Sequence, residues 1–412
     1  MSQFDPILTQ DSVAPSQSRN EVSESVVSIG GREISKRVGE FWTSGQRQAH
    51  NLHEVSYRAC FKPQLPRFFI SRFTSPGDRV LDPFAGRGTT AIEAALMGRR
   101  VVANDANPLS EILTRPRIQV PKLAAIISRL NEIDLTHPSD TGTDIDLSMF
   151  YHPSTYAQLL CLRSYLIERK QSATEDEIDR WIRMVATNRL TGHSPGFFSV
   201  YTLPPNQAVS REAQVKINAR RNQAPPPRDV KAIIQKKSKQ LLKDLDVSDL
   251  VNLEAAARDA VFMTGDAASL SALKANSVNL TVTSPPFLDV VQYREDNWLR
   301  CWFNDIQVDR VSNEITMAKT ESAWFSKMKE VFSELFRVTT PGGHVAFEVG
   351  EVKNGRVKLE DLVIPAASSA DFVCTELYIN EQEFTKTANI WGVKNNSKGT
   401  NTNRIVVMKK PS

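Results

Sequence analysis

A short segment, Thr283-Ser284-Pro285-Pro286-Phe287, places a hydroxyl, two prolines and an aromatic ring side by side. It follows an alternating apolar stretch, Val278 to Val282, that predicts a buried strand. In an open α/β sheet, ligands bind beyond the carboxyl ends of the strands. Because proline restricts the backbone, oxygen atoms in this segment would be held as fixed hydrogen-bond acceptors. The alternative is a plain proline turn, as we expect for another Pro-Pro pair, within Leu203 to Asn206, which follows no clear strand.

A glycine loop is the second candidate site. Gly86 and Gly88 follow a predicted strand, Arg79 to Phe84, and precede a predicted helix, Thr89 to Met97. A second strand then ends at Asp105, where a carboxylate can hold a ribose. By itself this pattern fits NAD, S-adenosylmethionine or a purely structural turn about equally well.

The residues around the glycines separate these alternatives. Asp82-Pro83-Phe84-Ala85-Gly86-Arg87-Gly88-Thr89-Thr90 resembles the S-adenosylmethionine loop of amino-group DNA methyltransferases, usually Asp-Pro-Phe-x-Gly-x-Gly-Thr-Thr. The run Phe61 to Pro66 resembles the family segment that covers the methionine end of the cofactor. Arg87 departs from the family, where Ser is more frequent at this variable position. The resemblance therefore implies S-adenosylmethionine as the cofactor.

The same resemblance implies which residues hold the cofactor. Asp266 ends the next predicted strand and matches a carboxylate that contacts adenine in relatives, although it could instead cap a helix over Ala267 to Leu273. The implied cofactor-binding residues are Lys62, Pro63, Asp82, Phe84, Ala85, Gly86, Gly88, Thr89, Thr90, Asp105, Asp266 and Thr283.

Thr283 to Phe287 in turn resembles the Ser-Pro-Pro-Tyr/Phe signature of this family. The resemblance implies that the Ser284 side chain and the Pro285 carbonyl accept the two hydrogens of an exocyclic base amine. The nitrogen lone pair is then free to attack the sulfonium methyl without a covalent enzyme intermediate. Pro286 helps to fix the loop, and Phe287 stacks on a base extruded from the duplex.

Cytosine-N4 methylation of DNA is the favoured function, because Thr-Ser-Pro-Pro is commoner among those enzymes than among adenine-N6 enzymes. The chemistry at the two amines is the same, so adenine-N6 methylation is the alternative, followed by methylation of an RNA base. A non-catalytic DNA-binding relative would carry a damaged catalytic loop, and an NAD oxidoreductase would lack this loop. The expected partners are DNA and, as a candidate, a cognate restriction enzyme.

The elements that position these loops predict an α/β fold, a Rossmann-like, doubly wound and mainly parallel sheet of the class I methyltransferase type. The α/β pattern stops near residue 108 and returns at 260, which is too long for a connection and predicts an inserted helical subdomain. Residues 41–107 and 260–412 form the expected catalytic domain, and residues 1–40 a flexible tail. An amphipathic helix over Ala323 to Val338, a strand over His344 to Val349 and antiparallel closing strands near Ile390 and Arg404 to Met408 complete the prediction.

The insertion carries segregated positive charge. Between Ser210 and Leu245 there are ten Lys or Arg residues and three acidic residues. Contact with DNA phosphates is one explanation and a solvated helix face is the other. The expected DNA-binding residues are Arg220, Arg221, Lys236 and Lys237. The aromatic stretch His193 to Tyr201 could line the DNA groove or pack the subdomain.

Composition sets the remaining expectations. The 412 residues carry a net charge of +4, and the four cysteines stand singly, which predicts reduced thiols in the cytoplasm and no metal site. The sequence contains no uncharged apolar run of about 18 residues, so it predicts no membrane span. The first residues lack the pattern of a secretion signal. The oligomeric state is not predicted.

Overall fold

The computed structural model describes residues 22–29, 31–42, 49–57, 60–137, 145–203, 208–286, 293–307, 320–352, 357–381 and 402–412. Phe287, the Pro-Pro pair at 204–205, and Ile390 lie outside these residues. No helix in the described part of the chain is long and apolar enough to cross a membrane.

The described strands comprise one nine-stranded sheet and a separate two-stranded pair. The strands are β1 (Ser23–Ile29), β2 (Arg32–Gly39), β3 (Arg79–Asp82), β4 (Arg100–Asp105), β5 (Val261–Thr264), β6 (Val278–Thr283), β7 (Thr339–Val349), β8 (Glu351–Val352), β9 (Val357–Lys358), β10 (Val373–Glu381) and β11 (Thr402–Lys409). The order across the large sheet is β1-β2-β10-β11-β7-β6-β3-β4-β5, while β8 pairs with β9.

Strands β5, β4, β3, β6 and β7 are parallel neighbours. The chain runs outward from β3 through β4 to β5, and then returns to the other side of β3 to form β6 and β7. The switch point between β3 and β6 is where a doubly wound sheet opens a ligand crevice. Strand β11 is antiparallel to both β7 and β10, as predicted for the closing strands. The predicted α/β fold is therefore confirmed.

Helices cover the sheet and fill the interruption of its pattern. They are α1 (Gln64–Phe73), α2 (Thr89–Leu96), α3 (Leu109–Thr114), α4 (Leu123–Glu132), α5 (Pro153–Gln171), α6 (Glu177–Arg189), α7 (Arg211–Arg221), α8 (Val230–Leu241), α9 (Val247–Asp259), α10 (Tyr293–Phe303), α11 (Glu321–Val338) and α12 (Glu360–Ser368). Helices α3 to α9 lie between β4 and β5 in the chain. Trp181 and Ile234 of this interval share one hydrophobic core with Val80 and Ile92 of the sheet region.

The flexible tail predicted for residues 1–40 is wrong over its described part. Strands β1 and β2 form an antiparallel hairpin there, and β2 pairs in parallel with β10. The polar composition of β1 misled the prediction, because a strand at the edge of a sheet gains its order from backbone hydrogen bonds and buries few side chains. Ile34 of β2 is buried and anchors the hairpin in the core.

Strand β7 also differs from its prediction, which placed a turn at residues 341–343 before the strand. The strand begins at Thr339 and passes through this turn sequence with a shift in register. Gly342 has a φ of +77° within that irregular part. A glycine takes this left-handed conformation without steric cost, so the strand can bulge here and continue.

Candidate functional site

The two predicted loops meet at the switch point of the sheet. Thr283, the last residue of β6, donates from Oγ1 to Oδ1 of Asp82, the last residue of β3, over 2.6 Å. Both side chains are buried. Thr90 of α2 donates to the carbonyl of Val282 over 3.0 Å. The cofactor loop and the catalytic loop are therefore joined by direct side-chain hydrogen bonds.

Buried Asp82 is the carboxylate at the centre of this junction. Burial raises its pKa to about 7, although hydrogen bonds from Thr283 and the Phe84 backbone favour the ionised form. A carboxyl group in a crevice whose pKa lies near neutral pH can lose its proton when a positively charged ligand group binds beside it. This property fits the cationic methionine end of the expected cofactor.

The glycine loop brings backbone close to the crevice. Gly86 and Gly88 have φ values of +52° and +79°. A Cβ at Gly88 would collide with the side chain of Thr114, so no larger residue fits there without displacing α3. Helix α2 begins immediately afterwards at Thr89, so its free amide groups face the loop. The dinucleotide-type glycine pattern requires a left-handed backbone and close packing of the loop, and the loop has both.

Asp105 lies beside this loop at the end of β4. One of its carboxylate oxygens accepts from the Gly86 amide and the other from the Asn107 amide, each over 2.8 Å. Burial raises the pKa of this carboxyl to about 6. Each oxygen keeps a second lone pair that can accept from a ribose hydroxyl. The position is the one predicted, and the ribose contact stays a prediction.

The structure also describes the other predicted cofactor residues. Ala85 and Thr89 are buried, Phe84 is half-buried, and Pro63 is buried directly before α1. Lys62 is half-buried, and burial lowers its pKa. Their roles in binding remain predictions.

Asp266 is only partly available for a ligand. Its carboxylate accepts from Lys327 Nζ over 2.6 Å and from the Ala268 amide over 2.9 Å. No helix follows it at residues 267–273, so the alternative role as a helix cap is wrong. The adjacent Gly265 amide donates to the carbonyl of Asp105, which places Asp266 next to the predicted ribose site.

The catalytic loop begins with Ser284, half-buried at the end of β6. Its neighbour across the parallel ladder is Glu348, since Thr283 is in register with Phe347. The Ser284 and Glu348 side chains form a hydrogen bond, and burial raises the pKa of Glu348. Asn403 Nδ2 of β11 donates a further hydrogen bond to Oε1 of Glu348 over 2.7 Å. A buried carboxylate therefore orients the predicted catalytic hydroxyl.

The prolines of the catalytic loop are buried or contacted by a neighbouring helix. Pro285 is buried, and the carbonyl of Pro286 accepts from Trp324 Nε1 of α11 over 3.1 Å. This contact occupies the Pro286 carbonyl, whereas the structure gives no such partner to the Pro285 carbonyl among the described residues. That arrangement is compatible with the predicted acceptor role of Pro285.

Sequence reasoning missed three residues that organise this site. Glu348 could have been found as a carboxylate on a predicted strand adjacent to the catalytic strand. Trp324 carried no signal beyond its place on an amphipathic helix. Asn104 donates to the carbonyls of Pro83 and Gly265 and so ties three strand ends together, which depends on tertiary packing.

The basic residues of the insertion divide into two groups. Arg220 and Arg221 at the end of α7 and Lys236 on α8 are exposed. Lys237 is buried and pairs with Glu54 over 3.1 Å. The prediction that Lys237 binds DNA is therefore wrong, because its ammonium group is already paired inside the protein. Its neighbour Lys236 is exposed, because adjacent residues on a helix project about 100° apart around the axis.

The aromatic stretch His193 to Tyr201 serves mainly as packing. Phe197, Phe198 and Val200 are buried. His193 is exposed and Tyr201 is half-buried, so the two ends of the stretch reach the surface.

Comparisons with known proteins find similarity over part of this chain. A family model described as DNA methylase, for N6 and N4 methyltransferases, matches residues 8–111. The Type II methyltransferase M.MjaII of Methanocaldococcus jannaschii is 31% identical over 84 residues, which is 20% of this chain and 16% of that protein. The Type II methyltransferase M.BsoBI of Geobacillus stearothermophilus is 29% identical over 85 residues, with the same shares. The match thus spans about a sixth of each relative.

Solved structures also align. A SAM-dependent methyltransferase from Methanosarcina mazei is 11% identical, with a TM-score of 0.34, over 83% of this chain and 97% of that chain. A DNA modification methylase from Thermus thermophilus is 23% identical, with a TM-score of 0.23, over 36% of this chain and 51% of that chain. The family model and the two sequence relatives confirm the predicted resemblance to amino-group DNA methyltransferases, and the residues that the family model matches include the glycine loop.

Proposed function

We propose that this protein is a DNA methyltransferase that transfers a methyl group from S-adenosylmethionine to an exocyclic base amine, and that the amine is N4 of cytosine. The hydrogen bond between Asp82 and Thr283 is the observation that carries the proposal, because it sets the cofactor loop directly against the catalytic loop. Neither loop alone specifies this chemistry.

S-adenosylmethionine, when bound, supplies an electrophilic methyl group on a sulfonium centre. The residues that would hold it fit its chemistry. Asp82 offers a carboxylate to the cationic methionine end, Gly86 and Gly88 admit the backbone close to the ligand, and Asp105 offers acceptors to ribose hydroxyls. The family match over residues 8–111 includes all four of these residues.

The catalytic loop prepares the base amine. Ser284 Oγ and the Pro285 carbonyl accept the two amine hydrogens, which draws the nitrogen lone pair out of conjugation with the ring. These acceptors are prearranged by the prolines and by Trp324, so little reorganisation is needed as charge develops. Orientation of the amine toward the methyl supplies a further part of the rate enhancement.

The methylated amine must also lose a proton. Glu348 accepts a hydrogen bond from Ser284, so a proton that leaves the amine through the Ser284 hydroxyl can pass to this carboxylate. The raised pKa of Glu348 makes it a better proton acceptor than an exposed glutamate. In this mechanism Ser284 touches the base and Glu348 acts through Ser284.

The exposed basic residues of the insertion supply the contact with DNA. Arg220, Arg221 and Lys236 lie on the surface within the segment of segregated positive charge. Phosphate contacts fix the register of a duplex and make binding depend on salt. If the protein is a modification enzyme, a cognate restriction enzyme is a candidate partner in the cell.

The test uses purified protein, S-adenosylmethionine with a labelled methyl group, duplex DNA of mixed sequence and structured RNA as the control. We expect label in DNA and not in RNA. Label confined to RNA would favour the RNA-base alternative. Label in DNA as N6-methyladenine would retain the enzyme class and reject the cytosine assignment.

A further inference from the structure

One exposed arginine of the insertion, Arg221, stacks on an aromatic ring. Arg221 is the last residue of α7, and its guanidinium carbon lies 3.8 Å from the centre of the Tyr201 ring. Its Nε donates to Gln223 Oε1 over 3.3 Å. A guanidinium stacked on a ring is attracted to the π-electrons and lies flat against it.

The backbone of Tyr201, which carries this ring, is fixed by hydrogen bonds. The carbonyl of Tyr201 accepts from Gln214 Nε2 over 3.1 Å and from Gln223 Nε2 over 3.0 Å. Both amides also donate to Asn218 Oδ1, over 2.8 and 2.9 Å. Gln214 is fully buried, and Asn218 donates onward to a backbone carbonyl. An amide network centred on buried Gln214 therefore holds the Tyr201 backbone, and the Tyr201 ring supports the guanidinium.

This arrangement leaves the outer edge of the guanidinium open. Among the residues that the structure describes, neither terminal nitrogen of Arg221 has a hydrogen-bond partner. Arg220, the adjacent exposed residue, has no ring beneath it in that same part of the protein. The chain thus carries two neighbouring exposed arginines, of which only Arg221 is oriented in advance.

On the basis of the proposed function, we propose that Arg221 reads a guanine in the target sequence by a bidentate contact. A guanidinium matches the O6 and N7 acceptors of guanine in the major groove, and this is the commonest specific pairing between an amino acid and a base. Contact with a phosphate requires charge and reach, which Arg220 already offers. Contact with a base edge requires a fixed plane, and a preoriented side chain loses little entropy on binding.

The position in the fold agrees with this role. Tyr201 ends the aromatic stretch, whose central rings are buried in the insertion, so the platform rests on rigid packing. Recognition side chains supported in this way hold their geometry better than side chains on free loops. The remaining exposed cations, Arg220 and Lys236, then supply contacts that do not depend on sequence.

The experiment is modification-sensitive sequencing of DNA from cells that express the full-length wild type, Arg221→Ala, Tyr201→Leu or Arg220→Ala. For Arg221→Ala we expect the methylated motif to lose its preference for one guanine, a preference that a bidentate pair makes about 5- to 150-fold. Tyr201→Leu should relax the same position to a smaller degree. Arg220→Ala should leave the motif unchanged even where total methylation falls.

An Arg221→Ala motif identical to that of the wild type would overturn the inference and leave Arg221 as a phosphate contact. Relaxation at several positions at once would also overturn it, because that pattern indicates a general loss of docking. The thermal midpoint and cofactor affinity of each purified variant show that the protein is folded. Absence of any mark from the wild type would reject the proposed function itself, and this inference with it.

Discussion

The carboxyl edge of the sheet and the surface of the insertion use polar residues in opposite ways. At the sheet edge, Asp82, Thr283 and Glu348 are buried; Thr283 donates to Asp82, and Glu348 is hydrogen-bonded to Ser284 on the neighbouring strand end. On the insertion, Arg220 and Lys236 are exposed and meet solvent. The first region fixes the positions of a few atoms, and the second presents charge over an area.

This difference explains why the function of the sheet edge is easier to predict from sequence than that of the insertion. Methyl transfer constrains a few atoms tightly, so it imposes short motifs such as the glycine loop and the proline loop. Phosphate attraction constrains only the sign and rough location of charge. Substitutions at the sheet edge should therefore change the rate of chemistry, and those on the insertion should change the affinity for DNA.

The sharpest separation of the two regions comes from Ser284→Ala. Loss of one prearranged acceptor in the transition state should lower kcat by about 10²–10³-fold. S-adenosylmethionine affinity should stay nearly unchanged, because Ser284 contacts the amine. Single-turnover methylation and calorimetric binding measure the two quantities, with Ser277→Ala just before β6 as the matched control. A parallel loss of cofactor binding would contradict the assigned role.

Glu348→Gln tests whether the carboxylate acts through Ser284. The amide keeps the shape of the side chain but cannot take up the proton, so kcat should fall about 10²-fold. In the wild type, kcat should fall as the pH drops through the raised pKa of Glu348, since a protonated carboxyl no longer accepts. The variant should lose that limb of the pH profile. An unchanged profile would leave Glu348 with a packing role only.

The insertion side of the comparison is tested by Arg220→Ala combined with Lys236→Ala. If each cation neutralises one phosphate, the slope of log affinity against log salt should become less steep by about 2. The matched control is Lys237→Met, the buried neighbour. It should leave the slope unchanged and lower the thermal midpoint, because Glu54 loses its ion-pair partner and keeps only the hydrogen bond from Gln240. An equal effect of Lys237→Met on the slope would contradict the division into buried and exposed cations.

The smallest expected effect is the pH dependence of cofactor binding. Asp82 has a pKa of about 7 in the free protein because it is buried, and a cationic ligand lowers that pKa. Affinity should therefore weaken by up to about tenfold per pH unit below about 7 and become constant above about 8. Asp82→Asn should bind more weakly and with no such dependence. Persistence of the pH dependence in Asp82→Asn would assign it to another group, with Asp105 the first candidate.

The fold and the centre of the site could be predicted because local patterns determine them. The β3-loop-α2-β4 unit and the strand before Ser284 each follow from apolar runs and adjacent glycines or prolines. Glu348 and Trp324 could not be assigned, since their roles depend on which strands and helices become neighbours. Lys237 was misjudged for the same reason: a lysine within a basic run shows no sign of the distant Glu54 that pairs with it. Strands β1 and β2 escaped prediction because β10, far along the chain, orders them.

The most direct test of the central claim is nucleoside mass spectrometry of DNA methylated by the purified protein, with Ser284→Ala in parallel. The mechanism predicts N4-methylcytosine from the wild type and a signal reduced by about 10²-fold or more from the variant. Methylation at a ring carbon, or equal product from Ser284→Ala, would contradict transfer to an amine held by the Thr283–Phe287 loop.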